Sequence, residues 1–349
     1  MSATSFVRRM GWWLALGLLM AHWLTGCSKS PTVILYCAQD QFFAEPILRD
    51  FSRETGIAVR AVYDSEAAKT VGLANRLLTE QARPASDVFW GNEEFQTRRL
   101  AAAGVFRVTN GWAAFGGRSR RLVSGPEHQA WISGGLIGLT NAVLRGRVSL
   151  AAPWFGSTAT HFASLRAEWG AERWRTWCQA LAANRPFLED GNSGVVRRVA
   201  RGEAWIGLTD SDDIQAGQRE GLGLVAGPAL RYLPNTVAVV RGAPHPVAAE
   251  RLFRYLQTAA VHARLVAVGA LEADGAVSGL GNLATPSAPP WERMIGEFEV
   301  FVRELRAIWG LATGTRVPMT PSLIDPALVA RDVLGNEGGM RIRWAAGSI

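Results

Sequence analysis

The sequence predicts an α/β protein whose sheet is largely parallel and covered by helices. Two observations carry this. Short apolar runs of strand length alternate with longer stretches in which apolar residues recur three and four positions apart. Glycine or proline then marks the end of most of those longer stretches. Such alternation implies parallel strands joined by crossover helices.

The elements follow in order. Residues 33–37 form a continuous apolar run, as expected of a strand buried on both faces. Phe43, Ile47, Leu48 and Phe51 then recur at helical spacing, and Gly56 closes that helix. Residues 57–62 read as a second strand. A helix over 66–80 carries Val71, Ala74, Leu77 and Leu78 on one side, and Pro84 lies beyond its end. Residues 87–90 are a third strand, and a helix over 93–103 ends at Gly104. A glycine- and arginine-rich interval, 116–125, interrupts the pattern. It resumes with a strand at 147–151, a turn at 155–160 and two helices reaching about Asn184. A helix over 193–201, strands at 205–208 and 235–240, a helix over 246–257 and an amphipathic helix over 291–309 complete the series. No internal repeat of solenoid period is present.

Composition narrows the function classes. Of 349 residues, 48% are hydrophobic and 19% charged, so a packed core is feasible and wholesale disorder is excluded. The net charge is +7, yet the only lysines are Lys29 and Lys69. The arginines are scattered in pairs such as Arg98-Arg99, Arg120-Arg121 and Arg197-Arg198, a solvated-surface pattern that does not suggest a nucleic-acid partner. Cys27, Cys37 and Cys178 form no Cys-x-x-Cys pair. Neither a Gly-x-Ser-x-Gly elbow, a His-Glu-x-x-His pair nor a Walker loop occurs, so no enzyme is expected.

The N-terminus reads as a targeting segment. Arg8-Arg9 precede an apolar stretch, 10–23, too short for a confident membrane span. It ends in Leu24-Thr25-Gly26-Cys27, which resembles the bacterial lipoprotein processing box. By that resemblance residues 1–26 are a signal peptide, Cys27 is the lipidated residue, and 27–32 form a tether outside the cytoplasmic membrane.

Four stretches together carry a wider resemblance: Ile34-Leu35-Tyr36-Cys37-Ala38, Phe51-Ser52-Arg53-Glu54-Thr55-Gly56-Ile57, Pro84-Ala85-Ser86-Asp87-Val88-Phe89-Trp90 and Gly202-Glu203-Ala204-Trp205-Ile206-Gly207-Leu208. In order and spacing they resemble the periplasmic solute-binding proteins of ABC importers, in particular the ferric-iron-binding branch. The resemblance implies a type II periplasmic-binding fold: two α/β lobes, a ligand cleft between them, and crossing strands near 118–124 and 233–238. Lobe 1 is then 33–120 and 238–313, lobe 2 is the insert 121–237, and 314–349 is a C-terminal extension. It implies no cofactor beyond a bound metal ion as ligand. The implied partners are an ABC permease and its ATPase, and the chain is expected to act as a monomer.

Ligands of such folds bind beyond the carboxyl ends of the strands. Candidates there are Asp40 and Gln41 after the first strand, Glu66 near Lys69 after the second, and Trp90, Asn92 and Glu93 after the third. Ser157, Thr158 and Thr160 form a hydroxyl-rich turn opening a helix, a fitting anion cradle beside His161. Asn192 and Ser193 repeat that chemistry, and Asn235 lies at the second crossing. Each of these side chains also makes an ordinary helix cap or core residue. The stretch Asp210-Ser211-Asp212-Asp213 is the most informative. Carboxylates this close repel, so a cation or an arginine is expected beside them. By resemblance, two adjacent iron-ligating tyrosines fall on Asp212 and Asp213, a family carboxylate falls on Asn92, and a family histidine falls near Asp40 or Gln41. Asp212 and Asp213 are therefore the metal candidates, and tyrosinate ligation is not expected. A small oxyanion or organic acid is the alternative ligand; a metal-dependent hydrolase using Asp210, Asp212 or Asp213 is the alternative of another class.

Overall fold

The computed structural model describes residues 31–63, 69–273 and 289–310. The signal segment, Cys27, Glu66 and the extension 314–349 lie outside the described residues.

The expected opening is present. β1 (Thr32–Cys37), α1 (Gln41–Thr55), β2 (Ala58–Tyr63), α2 (Lys69–Thr79), β3 (Val88–Gly91) and α3 (Glu94–Ala102) alternate along the chain. Gly56 stops α1 in the left-handed conformation, φ 69°, where a side chain would be strained. β1 pairs parallel with β2 and with β3. Its side chains alternate between two cores, as the pleat demands. Val33, Leu35 and Cys37 pack with α1, while Tyr36 packs with Leu73, Leu77 and Phe89.

The interval 116–125 is not a break. It belongs to β4 (Trp112–Ser124), a strand of 13 residues. Its partner β8 (Val225–Val239) has 15 residues, far more than the expected 235–240. The two run antiparallel along their length, with a register shift between Ala114 and Gly117. β3 joins one end of β8, and β7 (Ile206–Asp210) joins the far end of β4. Beyond β7 lie β5 (Val148–Ala151) and β6 (Phe187–Glu189), both parallel. The sheet order is β2-β1-β3-β8-β4-β7-β5-β6. The expectation of parallel pairing thus holds at both ends and fails in the middle, where the two long strands run through both halves.

The second half is covered by α4 (Gly156–Trp169), α5 (Ala171–Ala183), α6 (Asn192–Ala200) and α7 (Ser211–Arg219). α8 (Pro246–Leu256) and α9 (Ala259–Ala267) return to the first half, where Leu252 and Leu265 enter the core with Val33 and Phe51. α10 (Trp291–Ile308) packs on the second half of the sheet. Its Met294, Phe298, Phe301 and Leu305 join the core of the second half, with Phe162, Trp174 and Leu181. Phe95 of α3 enters that same core, with its ring centroid 5.0 Å from that of Phe298. An apolar stripe shows that a helix has a buried face, but not which core receives it. No helix among the described residues is long and apolar enough to cross a membrane.

Candidate functional site

The carboxyl ends of β1, β3, β5, β6 and β7 carry the candidate loops, and the long strands bring two buried arginines to them. Arg118 and Arg120 are two positions apart on β4, so they share one face of the sheet. The sequence asks for an arginine beside the acidic loop but assigns neither; Arg120, expected as part of a solvated surface pair, is instead 0% exposed because it is held by Asp210. The period-two spacing of the two arginines was the available signal.

Asp210 is the hub. As the last residue of β7 it is buried, and its carboxylate receives Arg120 Nη1 at 2.6 Å and Arg118 Nε at 3.0 Å. Asn192 Nδ2 donates to it at 3.0 Å. Burial alone would push its pKa up, but the two guanidiniums outweigh that and hold it below the ordinary carboxylate range. Asp210 is therefore a permanent anion committed to arginine.

Asp212 and Asp213 follow in the first turn of α7, where the helix dipole favours negative charge. Ligand oxygens of Asp210, Asp212 and Asp213 all lie within 4.8 Å of one another. Asp212 Oδ1 is 3.5 Å from Arg118 Nε, which is already engaged by Asp210, and this oxygen makes no hydrogen bond among the described residues. Burial pushes the Asp212 pKa up to about 7; Arg118 lowers it, while Asp210 and Asp40 raise it. Asp213 is half-buried, and burial with the charges of Asp212, Asp210 and Asp40 drives its pKa well above the usual range. One arginine does not balance both carboxyls, and without a further cation their ionisation is resisted.

Arg118 also reaches the other loops. Its Nη1 donates to the Asn92 carbonyl and, at 3.2 Å, to Asn235 Oδ1. Asn235 is fully buried, and its Nδ2 has no acceptor among the described residues. Gln39, one residue before Asp40, likewise has a buried Nε2 without an acceptor. Asp40 begins α1 without capping it through its side chain, and Gln41 is exposed.

The hydroxyl-rich turn is built as expected but is used from within. Gly156 takes φ 52°, which glycine tolerates, and α4 starts there. Ser157 Oγ accepts from Arg120 Nη1 at 3.3 Å and from Asn192 Nδ2 at 3.0 Å, and Thr158 Oγ1 accepts from Arg120 Nη2 at 3.1 Å. These hydroxyls cradle a guanidinium of the protein itself. Asn192 Oδ1 accepts from Arg120 as well, at 2.9 Å, and Ser193 follows half-buried in the first turn of α6.

Three candidates are placed as framework. Glu93 caps α3, accepting from the backbone N–H groups of Phe95 at 2.7 Å and Gln96 at 3.0 Å. Thr160 Oγ1 donates to the same carboxylate at 2.9 Å and so ties α4 to α3. Burial pushes the Glu93 pKa up to about 7, against these hydrogen bonds and the field of Arg118. The Trp90 ring is 0% exposed and packs on Phe115 at 5.6 Å, so it fills the first core and does not line an opening. A tryptophan at a strand end fits either place, and only packing decides.

Comparisons with known proteins fit this geometry. The family model for bacterial extracellular solute-binding proteins matches residues 33–270. The chain belongs to that family. Its fold is the two-lobed type II periplasmic-binding fold, shared with proteins of transport. Iron-bound HitA from Pseudomonas aeruginosa is 19% identical, with TM-score 0.66 over 80% of this chain and 99% of that one. Apo ferric ion-binding protein A from Pasteurella haemolytica is 15% identical, with TM-score 0.69 over 81% of this chain and 99% of that one. AfuA from Actinobacillus pleuropneumoniae, solved with fructose-6-phosphate, is 15% identical, with TM-score 0.68 over 81% of this chain and 100% of that one. Identities this low speak for the fold alone. Among curated protein sequences, none matches this binding protein significantly.

Proposed function

We propose that this protein is the lipid-anchored capture component of an ABC importer, and that its cleft takes a cation through the oxygens of Asp212 and Asp213. The observation that carries this reading is the excess of carboxyl groups over arginines at the start of α7, which a bound cation would allow to ionise. Asp210 is balanced by Arg118 and Arg120, whereas Asp212 and Asp213 share what remains of Arg118. Hard cations are the natural occupants of clustered carboxylate oxygens. The resemblance to ferric-binding proteins favours ferric iron. The unaccepted N–H donors of Gln39 and Asn235 favour an iron carried with an anion whose oxygens receive them. A lone oxyanion or organic acid is the second reading, but Ser157 and Thr158 are already taken by Arg120.

In this reading the lobes are 33–120 with 238–273, and 121–237 with α10. β4 and β8 are the crossing segments, the protein is a monomer that turns nothing over, and it hands its ligand to a permease driven by an ATPase. Small-angle scattering tests the clamp. The radius of gyration should fall when a ligand shown to bind is added, because hinge closure brings the lobes together. Identical profiles with and without that ligand would count against a clamp.

The anchor is tested separately, since Cys27 lies outside the described residues. In Cys27→Ser the protein should leave the membrane fraction or accumulate with its leader attached. Unchanged membrane association would show that Cys27 is not the attachment point.

A further inference from the structure

The structure holds a second polar centre, which shares Arg120 with the candidate site. Arg120 on β4 and Arg231 on β8 are direct register partners in the antiparallel ladder. Their side chains therefore leave the same face of the sheet side by side, an arrangement in which like charges repel. Both are buried, at 0% and 6% exposure. Each has a carboxylate at its outer end: Asp210 pairs with Arg120, and Glu168 pairs with Arg231. The Nε–H group of each arginine has no acceptor among the described residues.

α4 lies across this pair. Ser157 and Thr158 at its start hold the Arg120 guanidinium, and Glu168 near its end holds Arg231. His161 falls between those two anchor points. It is four residues from Ser157 and three from Thr158, so it shares their helix face. It is 1% exposed, and neither ring nitrogen has a partner among the described residues. Burial, followed by the fields of Arg120 and Arg231, drives its pKa well below the usual value, so the ring is neutral and offers one N–H donor. Three buried N–H donors, on β4, β8 and α4, lack an acceptor among the described residues, and buried donors are satisfied in nearly all folded proteins.

We propose that a small inorganic anion, chloride in ordinary medium, is bound between Arg120 Nε, Arg231 Nε and the His161 ring. It relieves the repulsion of the paired arginines and fixes the Arg120 guanidinium that presents Asp210, Ser157 and Asn192 to the cleft.

Bromide reports the anion directly. Crystals of the wild-type protein grown with sodium bromide in place of chloride, measured at the bromine absorption edge, should show an anomalous peak within hydrogen-bonding reach of both Nε atoms and the His161 ring. Density there without anomalous signal, as a water gives, or no density at all, overturns the proposal. In solution, the Tm of the wild-type protein should rise with halide concentration at constant ionic strength, with gluconate as the replaced anion. That rise should vanish in Arg231→Leu; a Tm indifferent to halide in the wild type would contradict an anion of structural weight.

Discussion

Replacing Arg118 by methionine should destabilise the ligand-free protein by about 3–5 kcal/mol, the usual cost of removing one partner from a buried ion pair. The guanidinium is buried and serves three acceptors at once, Asp210, the Asn92 carbonyl and Asn235 Oδ1, while its charge faces Asp212 at 3.5 Å. Burial would lower its pKa, but Asp210 and Asp212 outweigh that and hold the charge firmly in place. Without it, Asp210 keeps Arg120, while Asp212 is left among carboxylates with no cation. Arg118→Met combined with Asp212→Asn should therefore recover part of the loss, because the charge that Arg118 balanced is gone as well. Urea unfolding of the wild type, both single variants and the double variant, as a closed cycle, measures the coupling. Additive effects would show that Arg118 and Asp212 do not interact and would remove the basis for the charge argument.

The second large effect is on binding. Asp212→Asn or Asp213→Asn should weaken a cation by about 100-fold or more, since even outer-shell partners of a metal are worth roughly 10–100-fold. Ser157→Ala should weaken it by less than about tenfold, because one neutral hydroxyl contributes about 1 kcal/mol. Titration calorimetry with ferric citrate, calcium and phosphate separates the cases. If the aspartate variants bind like the wild type and Ser157→Ala fails, the site is an anion cradle. Iron held by Asp212 and Asp213 should also lack a phenolate charge-transfer colour, since carboxylates supply no phenolate donor.

The same carboxylates set a pH dependence whose sign is fixed. The Asp212 pKa is raised by burial to about 7 in the folded state. A raised carboxylate pKa contributes stability that is complete below the unfolded value and is lost as pH rises through the folded one. The ligand-free protein should thus lose stability between about pH 4 and pH 7 from this group. Asp212→Asn should flatten that slope and stabilise the protein at pH 8 by about 1–2 kcal/mol. Cation affinity should move the opposite way and rise over the same range as the carboxylate ionises.

Much of the lobed architecture was legible in the sequence because β1, β3 and β7 are apolar runs buried on both faces, bounded by glycine and polar turns. The central strands were not. Gly116 and Gly117 and the arginines at 118, 120 and 121 interrupt the apolar pattern, since a strand that carries buried ion pairs shows no apolar alternation, and only the family resemblance put crossing strands near 118–124 and 233–238. The acidic loop was legible as a charge anomaly, yet its arginine partners sit about 90 positions earlier in the chain. Distance in sequence hides such pairs, and only the β4–β7 register brings them together. Glu93 and Thr160 were each plausible as ligands; their bond to one another depends on the packing of α3 against α4.

Native mass spectrometry with metal analysis, on protein purified without chelator from its own host, tests the central claim most directly. The wild type should carry a cation-containing species, and the Asp212→Asn/Asp213→Asn double variant should be purified without it. A wild type that carries only a small anion, retained unchanged in the double variant, would contradict a cation site at the start of α7.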